Sequence, residues 1–90
     1  MTTLEIIEQR LQQAFTPNVL QVVDNSEDHV GHVGTQAGGG HYQIRLVSQR
    51  FVNIGRLQRH RMVYDVLADL MQRDIHALAL EVFTPQEANS

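Results

Sequence analysis

The sequence contains no cysteine, and that absence removes more chemistry than any other feature of its 90 residues. Without thiols there is no disulfide framework, no thiolate nucleophile and no thiolate metal ligand. Any metal held here rests on imidazole, on carboxylate, or on donors brought by another molecule. Long apolar runs are also missing: none approaches the roughly 18 residues of a membrane-spanning helix. Glu5 and Glu8 in the first turns fit neither a signal nor a transit peptide, so a cytoplasmic location without a membrane partner is expected. Charge is scarce as well. Lys+Arg 7 against Asp+Glu 10 leave a net charge of −3, which excludes general attraction to nucleic acid or anionic lipid and leaves only a local basic patch. Residues 1–90 make one domain. At this size it buries ~60–65% of the surface of its unfolded chain and has no cleft between domains.

What the chain does have is periodicity. Thr2-Thr3-Leu4-Glu5 predicts a helix-opening capping box. Leu4, Ile7, Leu11, Ala14 and Phe15 recur at helical spacing, and Pro17 stops the helix by forcing Thr16 out of helical geometry. Ile6 points away from that stripe and reads as exposed. Val19 to Asp24 is a β-branched run, hence a strand; in His41 to Ser48, Tyr42, Ile44 and Leu46 alternate with His41, Gln43 and Arg45, marking a half-buried second strand. Between them, Asn25 to Gly40 is a long loop holding His29, His32 and Gly38-Gly39-Gly40, with no strand-to-helix junction to make it a phosphate loop. After an irregular turn at Phe51 to Gly55, a helix is predicted from Arg56 to Gln72, with Val63, Val66, Leu67, Leu70 and Met71 as its apolar stripe. Ile75 to Phe83 is the third strand, with His76, Leu78, Leu80 and Val82 on one face. Thr84 caps a short last helix that has Pro85 at its first position.

The expected fold is α+β in the order α-β-β-α-β-α. An antiparallel hairpin and a right-handed crossover give a three-stranded mixed sheet with the helices on one face. Parallel second and third strands begin at the same end of the sheet. The loop with His29 and His32 and the strand histidine His76 therefore share one end, and Arg56, Arg59, His60 and Arg61 open the helix at the other. A helix of ~16 residues spans about 24 Å, so His60 and His76 serve different sites. Read from composition, His29 and His32 are solvated loop residues and His76 a hydrogen-bonding strand end; an incomplete imidazole metal site is the alternative. Arg59 and His60 fall at the edges of the apolar stripe and are expected to pack and hydrogen-bond over the sheet edge; the arginine cluster otherwise reads either as solvated, ion-paired surface or as a phosphate-facing patch at a helix N-terminus. Ser48, His60 and Asp65 form no nucleophile elbow, and no paired carboxylates suggest an enzyme.

Arg50-Phe51, Leu57, Arg59-His60-Arg61, Val63-Tyr64, Leu67-Ala68, His76-Ala77-Leu78 and Thr84-Pro85-x-Glu87 resemble, in order and spacing, the signature of the BolA-like family. So do Asp24-x-Ser26-x-x-His29 and His41-Tyr42, and the resemblance runs from about Leu4 to Glu87. It implies a class II KH-like fold and partnership with a monothiol glutaredoxin carrying glutathione, with a [2Fe–2S] cluster bridging the two proteins. Glutaredoxin and glutathione would supply the thiolates. His76 and His29 of this chain would face them, with His32 close enough to substitute for His29. The isolated chain would hold no cofactor tightly, as a monomer or weak homodimer. Other family members are described as transcriptional regulators of stress response and cell morphology, so DNA binding through Arg56, Arg59 and Arg61 is the rival expectation. KH-type binding uses a GxxG loop, and Val52-Asn53-Ile54-Gly55 lacks its first glycine. Two further departures are Asp69-Leu70 in place of an acidic pair and Ala88 in place of a frequent tryptophan.

Overall fold

In the computed structural model, which describes residues 1–26 and 40–89, three strands carry four helical segments. The chain runs through α1 (Thr3–Phe15), β1 (Val19–Asp24), β2 (Gly40–Val47), a 3-10 turn (Gln49–Phe51), α2 (Arg56–Val66), α3 (Ala68–Met71), β3 (Ile75–Phe83) and α4 (Pro85–Ala88). Strand order is β1-β2-β3. β1 is antiparallel to β2, and β3 parallel to it, as the crossover demands. Ile7, Leu11 and Phe15 of α1, Val63 of α2, Leu67 and Leu70 close over Tyr42, Ile44, Leu46 and Val82. The helices therefore share the sheet face that these strand residues present. The other face carries Gln43, Arg45, Ala79 and Glu81, with Val19 and Val23 exposed at 41% and 48%. Among the described residues no helix is long and apolar enough to cross a membrane.

The predicted caps form. Thr2 and Glu5 make the reciprocal capping box of α1, and Thr16 ends that helix at φ 40, held by a hydrogen bond to the Gln12 carbonyl. Ile6 differs from expectation. It is half-buried against the core, because the sheet is wide enough to reach the flank of α1 as well as its central stripe. The predicted Arg56–Gln72 helix is also interrupted: Leu67, at φ −103 and ψ 12, separates α2 from α3. Arg10 of α1 meets the chain there, donating to the Val66 carbonyl at 3.3 Å and gripping both oxygens of Asp69. One guanidinium thus ties α1 to the break.

Asn53, in the turn before α2, holds φ 65. Asparagine tolerates the left-handed region better than other non-glycine residues, which suits it to this turn. Ser48 is fully buried; its hydroxyl donates to the Phe15 carbonyl at 2.7 Å and accepts from the Arg50 N–H at 3.1 Å, a purely structural role.

Two carboxylates, both gripped by arginines, are held lowest in the fold. The Arg10 guanidinium holds the Asp69 carboxyl down at about 2, and Arg59, helped by the Thr84 N–H, holds Glu87 at about 2. Both values lie below those of the unfolded chain, roughly 4. Their stabilisation is therefore complete above that value and is lost as pH falls toward 2. Urea midpoints followed by circular dichroism should be flat from pH 7 to about 5 and fall steeply below about 4. Asp69→Asn should start lower and lose part of that slope.

Candidate metal centre

β2 and β3 begin at the same end of the sheet, but not in step. Gly40 pairs with Ile75, and His41 with Ala77, so β3 carries one extra residue there, His76. A bulge of this kind reverses the alternation of everything before it. Ile75 and Leu78 both turn toward the core, whereas His76 is exposed. The expectation that His76 shares a face with Leu78, Leu80 and Val82 is thus overturned. Its imidazole instead lies against that of His41, with ring centroids 5.2 Å apart and planes tilted by 41°.

Local hydrogen bonding fixes this corner. The Asp24 carboxylate accepts from the Ser26 N–H at 2.9 Å, and the Ser26 hydroxyl accepts from the His41 N–H at 3.1 Å. Asn25 N–H donates to the His41 carbonyl at 2.7 Å, and Gly40 N–H to the Asp74 carbonyl at 2.9 Å. The Ser26 hydrogen bonds hold the Asp24 carboxyl below the usual carboxylate range. Gly40 has to be glycine: a Cβ there would stand 2.6 Å from Ser26 Oγ and 2.7 Å from the Tyr42 ring. The Asp24-x-Ser26 motif therefore positions His41, and through the paired strands His76.

His29 and His32 lie outside the described residues. Among the described residues no three His, Asp or Glu side chains gather to hold a metal. The pair His41–His76 is the imidazole cluster of the described surface, open on the helix-free side of the sheet. That donor set suits one side of an iron site completed from outside and does not suit a cluster enclosed by this chain. Sequence reasoning missed His41. The signal was present, since parallel strands bring both first residues to one end, but regular alternation placed the two rings on opposite faces.

The other end of the sheet is built differently. Arg59 is buried at 9% exposure rather than presented to a ligand. Its Nε donates to the Ile54 carbonyl at 2.7 Å, Nη1 to the Val82 carbonyl at 3.3 Å, and Nη1 and Nη2 grip Glu87 at 2.6 and 3.0 Å. Glu87 also accepts from the Thr84 N–H at 2.9 Å, closing the capping box of α4. The first arginine of Arg59-His60-Arg61 and the Thr84-Pro85-x-Glu87 motif are one structural lock. Of the expected phosphate-facing arginines, Arg56 and Arg61 remain exposed. Arg56 borders a groove of about 390 Å³ whose wall includes Glu87. His60 sits in the adjoining groove beside Leu80 and Glu81, well along β3 from His76.

These motifs are decisive when the chain is compared with known proteins. The family model described as "BolA-like protein" matches residues 11–87. The chain belongs to the BolA-like family. Its relatives in that family include the Escherichia coli protein named "DNA-binding transcriptional regulator BolA", 41% identical over 97% of this chain and 80% of that protein. Among solved BolA-like structures, BolA1 from Arabidopsis thaliana superposes with a TM-score of 0.85 at 29% identity, covering 97% of this chain and 96% of that one. The BolA domain of SufE1 from the same plant gives a TM-score of 0.83 at 33% identity, again over 97% and 96%. The helices and mixed sheet derived from the sequence are those of the BolA-like fold.

Proposed function

We propose that this BolA-like protein is a non-catalytic partner of a monothiol glutaredoxin carrying glutathione, and that the two share a [2Fe–2S] cluster for assembly, trafficking or iron sensing. The observation that carries this reading is the outward turn of His76 at the β3 bulge, beside His41. An exposed imidazole on an open sheet face is placed for a ligand that arrives with a partner. A chain with no cysteine leaves every thiolate to that partner. Imidazole in place of thiolate on one iron raises the reduction potential and gives a linkage that protonation can loosen. In this reading His76 is the principal ligand of the chain, with His29 second and His32 its substitute. The setting is the cytoplasm, and the cluster is shared cargo, not tightly held by the isolated protein.

The experiment is direct mixing. Combining the protein with cluster-loaded monothiol glutaredoxin should give a heterodimer by size-exclusion chromatography and a shifted visible spectrum. Co-elution of neither protein with the other would overturn the reading.

A second reading, DNA binding, is supported by the name of the Escherichia coli relative and by the exposed Arg56 and Arg61. Glu87 beside Arg56, and the net charge of −3, weigh against it. Titrating labelled duplex at low salt should give a flat response. Saturable binding lost in Arg56→Ala and Arg61→Ala would instead establish it.

A further inference from the structure

The His41–His76 pair has a geometry that regular strand pairing would not produce. On an unbulged sheet regular alternation would put His76 on the opposite face from His41. Here the extra residue brings the two imidazoles to a centroid separation of 5.2 Å with a 41° tilt. Two imidazoles bound to one tetrahedral ion, each nitrogen about 2.0–2.1 Å from the metal, place their ring centres roughly 5 Å apart. The observed centroid spacing fits two imidazoles that share one ion.

We infer that His41 and His76 form a two-imidazole clasp for a single divalent transition-metal ion of the zinc type, on the helix-free face of the sheet. Imidazole suits such ions. A hydrogen bond at one ring nitrogen leaves the other for the metal and orients it, so other contacts of these rings are compatible with binding. The backbone that carries His41 is pinned by Ser26 Oγ, Asn25 and the tight approach at Gly40, which fixes one ligand before the ion arrives. Two protein ligands leave two positions open on a tetrahedral ion, so the ion stays exchangeable and accessible to a second molecule. The inference goes beyond cluster sharing, from which it takes only His76, and the chain alone can test it.

The test is titration of the full chain with Zn²⁺ by calorimetry and with Co²⁺ by visible absorption, with the ring-proton resonances of the histidines followed by NMR. One ion should bind per chain, with tetrahedral cobalt bands and shifts of the His41 and His76 rings. His41→Ala and His76→Ala should each weaken binding at least tenfold, while His60→Ala, at the other end of the sheet, leaves it unchanged. His41→Gln should fail in the same way, and circular dichroism of each variant confirms folding. If a variant does not fold, the ring shifts of the unmodified chain still decide. Binding unchanged in His41→Ala, loss only in His29→Ala or His32→Ala, or no saturable binding below about 1 mM would each overturn the clasp. A chain that binds zinc but ignores loaded glutaredoxin would refute cluster sharing alone. One that joins the glutaredoxin but takes up no zinc would refute the clasp alone.

Discussion

Replacing His76 with alanine should leave the domain folded and abolish the visible absorption of a cluster-loaded complex with monothiol glutaredoxin. Folding is spared because the residue is exposed and contributes nothing to the core cluster. Exposed substitutions away from caps and pairs stay within roughly 0.5 kcal/mol. The spectrum is not spared, because the chain has no cysteine to take the place of the lost imidazole. An unchanged spectrum would remove His76 from the ligand set. The loop ligand is separated by the same assay: His29→Ala should weaken the cluster and His32→Ala should not, and the reverse result would exchange their roles. His41→Ala adds a third arm. Loss of the cluster there would place the second imidazole on β2, at the end where β2 meets the bulge, instead of in the residues before Gly40.

Much of this architecture is legible in the sequence because it follows from local rules. Thr2 with Glu5 and Thr84 with Glu87 are capping boxes in sequence and in space. The alternation of Tyr42, Ile44 and Leu46 is the alternation of burial along β2. Two features escaped and a third was legible without its partner, each dependent on a contact distant in sequence. The break at Leu67 coincides with the arrival of Arg10, 56 residues away from the Val66 carbonyl that it reaches. The packing of Arg59 over the sheet edge follows from its place beside the apolar stripe, whereas its partner Glu87 lies 28 residues on. The face of His76 turns on one unpaired residue in a parallel ladder, which no periodicity of β3 itself reveals, since Ala77 and Ala79 are small enough to sit on either side. The family signature located the important positions. It did not say which of them hold the fold together, and the two ends of the sheet differ in that respect. At the His76 end, two imidazoles stand beside each other where β2 and β3 begin. At the other end, Arg59 and Glu87 close on one another.

That division gives the second large effect. Arg59→Ala should cost about 2–4 kcal/mol, the scale for truncating a buried cation that satisfies several acceptors at once. The substitution leaves the Ile54 and Val82 carbonyls without their donor, releases Glu87 and strips a guanidinium from over the Phe51 ring, 5.9 Å from its centroid. In a domain of this size each kcal/mol shifts the melting temperature by about 4–8 °C, so a drop of roughly 8–32 °C is expected in a thermal scan. Arg59→Lys should recover little, because an ammonium cannot grip Glu87 through two nitrogens while reaching both carbonyls. Arg61→Ala, exposed on the same helix, should move the midpoint by no more than roughly 0.5 kcal/mol. If Arg59→Ala and Arg61→Ala behave alike, the lock is not what holds α4 against β3, and the two arginines would again stand as equivalent candidates for a phosphate. If they differ as expected, any loss of DNA binding in Arg59→Ala has to be read as loss of structure, which leaves Arg56 and Arg61 to carry the test of that second reading.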